Sequence, residues 1–200
     1  MASNGFSYLG LRTALPQKNA MKPPFLFPTP QQVTLSGETF RRPAKFSFQC
    51  KDESLASGLA PWMDKISLVP CPAEQKPNLL ILTEHSKHSG GFRIEVTPNQ
   101  VVIHTGKPVG LFRALSKVWQ MIHFVIPGDE LPCLEIADYP VLKRRGFMLD
   151  ISRCKVPTME ELFRLIDLLA LLGYNELQLY IEHTFRFQDH ETVWKNSSPL

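Results

Sequence analysis

Residues 146–182 place two short strand patterns on either side of a helix pattern, and this arrangement constrains the fold more than any other feature. The apolar run GFMLDIS (146–152) predicts the first strand. The strict alternation of ELQLYIE (176–182) predicts the second, with Leu177, Leu179 and Ile181 on one face. Two strands joined through a helix over about 37 residues predict a parallel βαβ unit with a right-handed crossover.

The helix between these strands carries its own start and stop signals. Thr158 and Glu161 form a capping-box pattern, in which each residue satisfies a backbone N–H group at the helix start. Gly173 is suited to the carboxyl end. The helical period predicts that the inward face is apolar and the outer face charged; the predicted inward residues are Leu162, Phe163, Leu165, Ile166 and Leu169, and the predicted outer residues are Glu160, Arg164 and Asp167.

The first part of the chain predicts a separate α+β domain, a mixed sheet with packed helices. Strand patterns lie at 45–49, 65–69, 78–83, 92–96 and 100–104; the apolar run at 78–83 is typical of a strand buried on both faces, and the last two patterns flank a hairpin turn. An amphipathic helix follows, with an apolar stripe from Leu111 to Ile122 and with Arg113, Ser116, Lys117 and Gln120 on the opposite side. An amphipathic helix laid on a mixed sheet defines the α+β class.

Turn-forming residues suggest how the parts are divided. Residues 1–24 are interpreted as a flexible lead, with the proline-rich stretch after them as an extended segment. The stretch 127–140 is interpreted as a linker. The predicted units are therefore the lead at 1–24, the α+β domain at 25–137, and the βαβ unit at 138–200. A single βαβ unit cannot cover both faces of its sheet, so we expect it to be the start of a larger, incomplete domain.

Composition excludes several classes of protein. Hydrophobic residues make up 44% and charged residues 20%, as in an ordinary globular chain and unlike a disordered, collagen-like or coiled-coil sequence. No apolar run approaches the roughly 18 residues of a membrane span. The net charge of +3, without a basic stripe, argues against a nucleic-acid partner. The absence of a clear secretory signal favours a cytoplasmic location, and the acid-poor lead keeps an organellar or secreted location as the alternative.

Metal and redox sites are not predicted. The four cysteines contain no C-x-x-C pair, and we expect them to be reduced thiols. His85 and His88 lie three residues apart but lack a third ligand, so we interpret them as part of a solvated loop. We therefore expect no metal and no cofactor.

Polar side chains cluster where the two strands of the βαβ unit end. The first strand leads to Asp150, Ser152 and Arg153, and the second leads to Tyr180, Glu182 and His183. Ligands of parallel α/β folds bind at the carboxyl ends of the strands. Carboxylates accept hydrogen bonds from hydroxyl groups and arginine donates them, so this mixture suits a polyhydroxylated ligand. The alternative is a purely structural ion pair between Arg153 and Glu182.

Two stretches of the sequence resemble a known family. The string RRGFMLDISR, followed by a capped helix and LALLGYNELQLYIEHTF, resembles the opening of the catalytic barrel in glycoside hydrolase family 20, the β-N-acetylhexosaminidases. Upstream, FRIEVTPNQVVIHTGKPVGLFRALSKVWQMI resembles the α+β domain that precedes that barrel. The resemblance covers roughly residues 27–190 and implies that the βαβ unit begins an incomplete (β/α)8 TIM barrel.

The resemblance also implies roles for individual residues. Arg153 corresponds to an arginine that binds hydroxyl groups of a terminal N-acetylhexosamine, and Asp150 to the aspartate of the L-D motif, with a structural or a binding role. Glu182 and His183 stand where many members have two successive acids, which changes the local chemistry. We predict that Arg153, Asp150, Glu182 and His183 bind substrate.

The resemblance implies a retaining, substrate-assisted hydrolysis, in which an Asp-Glu pair on the fourth barrel strand acts with the substrate's acetamido group. That pair is not predicted within these 200 residues, so we expect no catalytic residue and no activity from this chain alone. A noncatalytic carbohydrate- or protein-interaction module is the alternative function.

Overall fold

The computed structural model describes residues 24–125, 129–152, 156–182 and 188–195. Its largest element is a seven-stranded sheet with the spatial order β1-β7-β5-β6-β4-β2-β3. The strands are β1 (Gln32–Arg41), β2 (Phe46–Cys50), β3 (Leu68–Pro70), β4 (Leu79–Thr83), β5 (Phe92–Thr97), β6 (Gln100–Thr105) and β7 (Glu130–Asp138). The predicted α+β domain with a mixed sheet is confirmed.

The sheet divides into an antiparallel and a parallel part. Strands β1, β7, β5 and β6 pair antiparallel, and β6, β4, β2 and β3 pair parallel. The predicted hairpin is present, with Thr97 opposite Gln100 at its turn. Because β2, β4 and β6 run in the same direction, their carboxyl ends lie at one edge of the sheet.

The linker expected at 127–140 was wrong, because most of it forms β7, which lies between β1 and β5 inside the sheet. Pro132 lacks the N–H group that a strand pairing requires, which is why this stretch resembles a linker in sequence. The structure accommodates the proline opposite an irregularity of β1, where the pairing register shifts between Leu35 and Thr39. Strand β1 was not predicted as an element separate from the proline-rich segment before it.

Two further strand predictions need correction. The strand expected at 65–69 begins only at Leu68, because Ser67 has a left-handed backbone (φ 54°) that interrupts an extended chain. The run at 78–83 was expected to be buried on both faces. Instead, Leu79 and Ile81 are buried while Leu82 is exposed, so only one face of β4 is covered.

Helix α1 (Ala56–Leu59) is short, and α2 (Pro108–Gln120) is the main helix of this domain, continued by a wide helical turn from Met121 to Val125. As predicted, the apolar stripe of α2 faces the sheet: Leu111, Leu115 and Val118 are buried in the core, with α2 packed on β5 and β6. This stripe and the inward residues of the strands form one continuous core.

The polar side of α2 is buried as well, which the helical period did not predict. Ser116 Oγ donates a hydrogen bond to Leu171 O (2.8 Å), and Lys117 Nζ donates one to Pro28 O. Gln120 exchanges two hydrogen bonds with the backbone of Phe27, at 2.8 and 2.7 Å. The backbone of Phe27 and Pro28 and the end of the next helix along the chain cover this side of α2, so its polar groups are satisfied by protein instead of water.

The second unit contains β8 (Gly146–Asp150), α3 (Met159–Leu171) and β9 (Glu176–Tyr180), followed by α4 (Glu191–Lys195). Strands β8 and β9 pair parallel, as predicted. The capping box of Thr158 and Glu161 is present, and Gly173 ends the helix region with φ +81°. These local predictions are confirmed.

The inward face predicted for α3 is only partly buried. Leu169 is 7% exposed, whereas Phe163 is 60% and Ile166 45% exposed. A two-stranded sheet offers too little surface to cover a helix of four turns, so the remaining apolar side chains of α3 contact solvent. Among the described residues, no helix has the length and apolar character needed to cross a membrane.

Candidate substrate-binding edge

Asp150 lies at the carboxyl end of β8 and shapes the turn that follows it. Its Oδ1 accepts a 2.8 Å hydrogen bond from the backbone N–H of Ser152 and a second from the Ser152 hydroxyl. Ser152 is buried. An aspartate that accepts from the backbone two residues on forms an Asx turn, which sets the direction in which the chain leaves the strand. Asp150 therefore fixes the turn through Ser152 at the end of β8.

Glu182 lies at the same edge, two residues beyond the end of β9. Asp150 pairs with Tyr180 in the register of the two strands, and Ile151 N donates a 3.0 Å hydrogen bond to Tyr180 O. The pairing thus extends one residue past the end of β8. Tyr180 and Glu182 are exposed. The structure brings Asp150 and Glu182 to one polar edge, as predicted, whereas Arg153 and His183 lie outside the described residues.

The opposite, amino-terminal ends of β8 and β9 are held by contacts that sequence analysis did not assign. Asn175 accepts a 2.8 Å hydrogen bond from Arg145 N and donates a 2.9 Å hydrogen bond to Lys143 O. Arg144 makes a bidentate pair with Glu176, with both N–O distances at 2.8 Å, and this pair lowers the pKa of the Glu176 carboxyl. These contacts fix the register that places Asp150 beside Tyr180.

A second polar cluster lies on the seven-stranded sheet, on the face opposite α2. Arg93 bonds to Glu95 and to Glu84, the latter at 3.1 Å, and His104 Nδ1 lies 3.1 Å from the same Glu84 oxygen. Burial lowers the pKa of His104, and the neighbouring Arg93 lowers it further. This cluster was not predicted from the sequence. The alternation of β5 and β6 could have indicated it, since Arg93, Glu95 and His104 all occupy outward positions.

The described residues include no group of three or more histidine, cysteine, aspartate or glutamate side chains arranged to hold a metal ion. His85 and His88 both lie in an exposed loop between β4 and β5, where they were expected.

The fold defines a two-part protein: an α+β domain on a mixed sheet, then a parallel βαβ unit whose strand ends carry polar side chains. Residues 23–139 match the sequence model of glycosyl hydrolase family 20, domain 2. This match covers more than half of the chain, and the chain belongs to glycosyl hydrolase family 20.

Solved structures share the same fold. A β-N-acetylhexosaminidase from Bacteroides fragilis is 23% identical with a TM-score of 0.68, over 77% of this chain and 32% of that one. A mutant β-hexosaminidase from Streptomyces plicatus in complex with the product GlcNAc is 23% identical with a TM-score of 0.66, over 78% and 34%. A chitobiase from Flavobacterium johnsoniae is 20% identical with a TM-score of 0.67, over 86% and 30%. The present chain spans about a third of the length of each.

Proposed function

We propose that this chain is the amino-terminal part of a β-N-acetylhexosaminidase-like glycoside hydrolase, which removes terminal N-acetylhexosamine from glycans or glycoconjugates. In this proposal, β8, α3 and β9 are the first βαβ unit of the catalytic (β/α)8 barrel. The observation that carries the proposal is the polar carboxyl edge of β8 and β9 directly after a family 20 domain.

The extent of the structural matches supports the proposal that the βαβ unit belongs to the catalytic barrel. Residues 1–139 make up only about 70% of the 200-residue chain. A match over 86% of the chain must therefore include residues of the second unit. The exposed apolar side chains of α3 are also in keeping with a unit that packs against further barrel elements.

In the proposed site, the edge residues bind the terminal sugar. Arg153 donates charge-assisted hydrogen bonds to hydroxyl groups of the sugar. Glu182 accepts hydrogen bonds from other hydroxyl groups, and His183 donates or accepts them. Asp150 acts through Ser152 by setting the turn that leads to Arg153. Hydrolysis is retaining and substrate-assisted: the acetamido oxygen attacks the anomeric carbon, and an Asp-Glu pair on the fourth barrel strand orients this group and transfers the proton.

The test is Arg153→Ala in the complete enzyme, with an aryl N-acetyl-β-glucosaminide as substrate. A charge-assisted hydrogen bond is worth about 1.5–3 kcal/mol, so kcat/KM should fall roughly 10- to 150-fold while the melting temperature stays unchanged. Arg164→Ala is the matched control, because Arg164 is an exposed arginine of α3 that pairs with Glu160 on the same helix. An active Arg153→Ala variant would contradict the binding role.

The 200-residue chain assayed by itself should not hydrolyse this substrate, because it reaches only the second strand of the proposed barrel. General acid–base transfer contributes about 10²–10⁴-fold to such reactions, and the group that performs it stands on the fourth strand. Turnover that survives repurification and is lost in Glu182→Gln would move the catalytic centre to the edge described here. A complete protein that binds the sugar without hydrolysing it would favour the noncatalytic module.

A further inference from the structure

A cavity of about 330 Å³ lies on the α+β domain, at the carboxyl ends of β4 and β6. Among the described residues, none of β8, α3 or β9 lines it, so it is separate from the β8–β9 edge. Its polar and aromatic lining includes Glu84, His85, His88, Arg93, His104 and Tyr139. Carboxyl ends of parallel strands are where α/β sheets bind ligands, and this volume lies at the lower end of the range for ligand pockets.

The loop that walls the cavity, residues 84–91, is held in place before any ligand arrives. His88 N donates a 3.1 Å hydrogen bond to Ser86 Oγ, and Gly91 N donates a 3.0 Å hydrogen bond to His88 O. Arg113 of α2 donates a 3.0 Å hydrogen bond to Gly90 O, which ties the loop to the helix. A wall that is already ordered reduces the entropy that a ligand must overcome.

Arg93 and the acidic side chains around it form a network of ion pairs in the cavity. Arg93 bonds to Glu84 and Glu95, and Glu84 also contacts His104. A charged ligand that entered beside Arg93 would have to disrupt these pairs, whereas a neutral ligand with hydroxyl groups can use the remaining donors and acceptors, among them the exposed Lys87 of the loop, without doing so. Glu84 keeps half of its side chain exposed and is therefore available as an acceptor.

The same cavity carries a flat aromatic surface. The rings of His88 and Tyr139 stack with centroids 3.7 Å apart and an angle of 9° between their planes. Aromatic faces pack against apolar groups, and the carbon-bound hydrogens of a pyranose ring form such a face. Hydroxyl-binding charges beside an aromatic surface are the combination that a sugar ring requires.

We propose that this cavity is a second, noncatalytic binding site for a neutral saccharide, formed by the loop 84–91 together with Arg93, His104 and Tyr139. The site holds a glycan on the α+β domain independently of hydrolysis at the β8–β9 edge. It does not depend on the proposed catalytic function, since its residues all belong to the family 20 domain 2 region.

The proposal is tested by titrating the ¹⁵N-labelled 200-residue chain with N-acetylglucosamine and following the backbone amides by nuclear magnetic resonance. Saturable shifts are expected at residues 84–93, 104–107 and 137–139, with sodium acetate producing none there. His88→Ala removes one stacking ring from an exposed position and should weaken binding roughly three- to tenfold. Arg93→Gln should weaken it at least about tenfold.

The matched control is His123→Ala, because His123 is also an exposed histidine stacked on an aromatic ring, that of Trp119 at 4.6 Å, but outside the cavity. It should bind the sugar as the wild type does. Melting curves establish that each variant folds. The proposal is overturned by the absence of saturable shifts, by equal shifts with acetate, by unchanged affinity in both cavity variants, or by shifts confined to residues 150–152 and 180–182. This last result would leave the proposed function intact.

Discussion

Lys117 offers a direct test of how the polar side of α2 is buried. Its residue surface is 2% exposed, and its ammonium group donates a hydrogen bond to Pro28 O. Burial lowers the pKa of Lys117 from 10.5 to about 8; Asp138 opposes this shift, and Arg113 adds to it. We predict that Lys117→Met changes the pH dependence of unfolding, because methionine has a similar length and no charge to desolvate.

The direction and size of the effect follow from proton linkage. Below pH 8 the Lys117 side chain is protonated in both the folded and the unfolded state, so folding carries the full free-energy cost of burying the charged ammonium group. Between about pH 8 and 10.5 the unfolded chain binds more protons than the folded one, so stability rises with pH. A shift from 10.5 to about 8 corresponds to about 3 kcal/mol, most of which is gained by about pH 10.

The assay is urea unfolding of wild type and Lys117→Met at about pH 7 and about pH 10. Relative to the variant, the free energy of unfolding of the wild type should increase by about 2–3 kcal/mol between these conditions. Lys45→Met is the control, since Lys45 is exposed and its ammonium group stays in water on folding. Parallel pH dependences of wild type and Lys117→Met would refute the reasoning, because they would mean that Lys117 is hydrated in the folded protein.

Three further substitutions test separate contacts by urea unfolding or melting curves. Gln120→Leu should destabilise by about 1–3 kcal/mol, because both backbone groups of Phe27 lose their partner; equal stability would mean that water replaces the amide. Thr158→Ala should cost about 1 kcal/mol through the lost cap, and Thr158→Ser should restore most of it. Gly58→Ala should lower the free energy of unfolding by about 1–3 kcal/mol, because a Cβ there would lie 2.5 Å from Pro108 O. Ser57→Ala is the control and should be neutral, since Ser57 is exposed. An equal loss in both variants would mean that the helix backbone, and not the close contact with Pro108, causes the loss.

Local sequence determined the elements whose stabilising contacts lie within a few residues. The hairpin of β5 and β6, the cap of α3 and the glycine at its end were all predicted and observed. In each case the deciding hydrogen bonds connect residues close in the chain, so a short pattern contains the necessary information. The polar edge of β8 and β9 was predicted by a different rule, because the crossover of a βαβ unit makes its two strands parallel and so places both strand ends together.

Tertiary structure decided the features that depend on distant partners. Strand β7 is specified by its neighbours β1 and β5, and its own proline obscures it in the sequence. Ser116, Lys117 and Gln120 occupy the polar side that helical periodicity assigns correctly, yet that side is buried because Phe27, Pro28 and Leu171 supply hydrogen-bond partners from up to 93 residues away. Periodicity tells which side chains share a face, but the element that covers the face is set by chain packing over long separations.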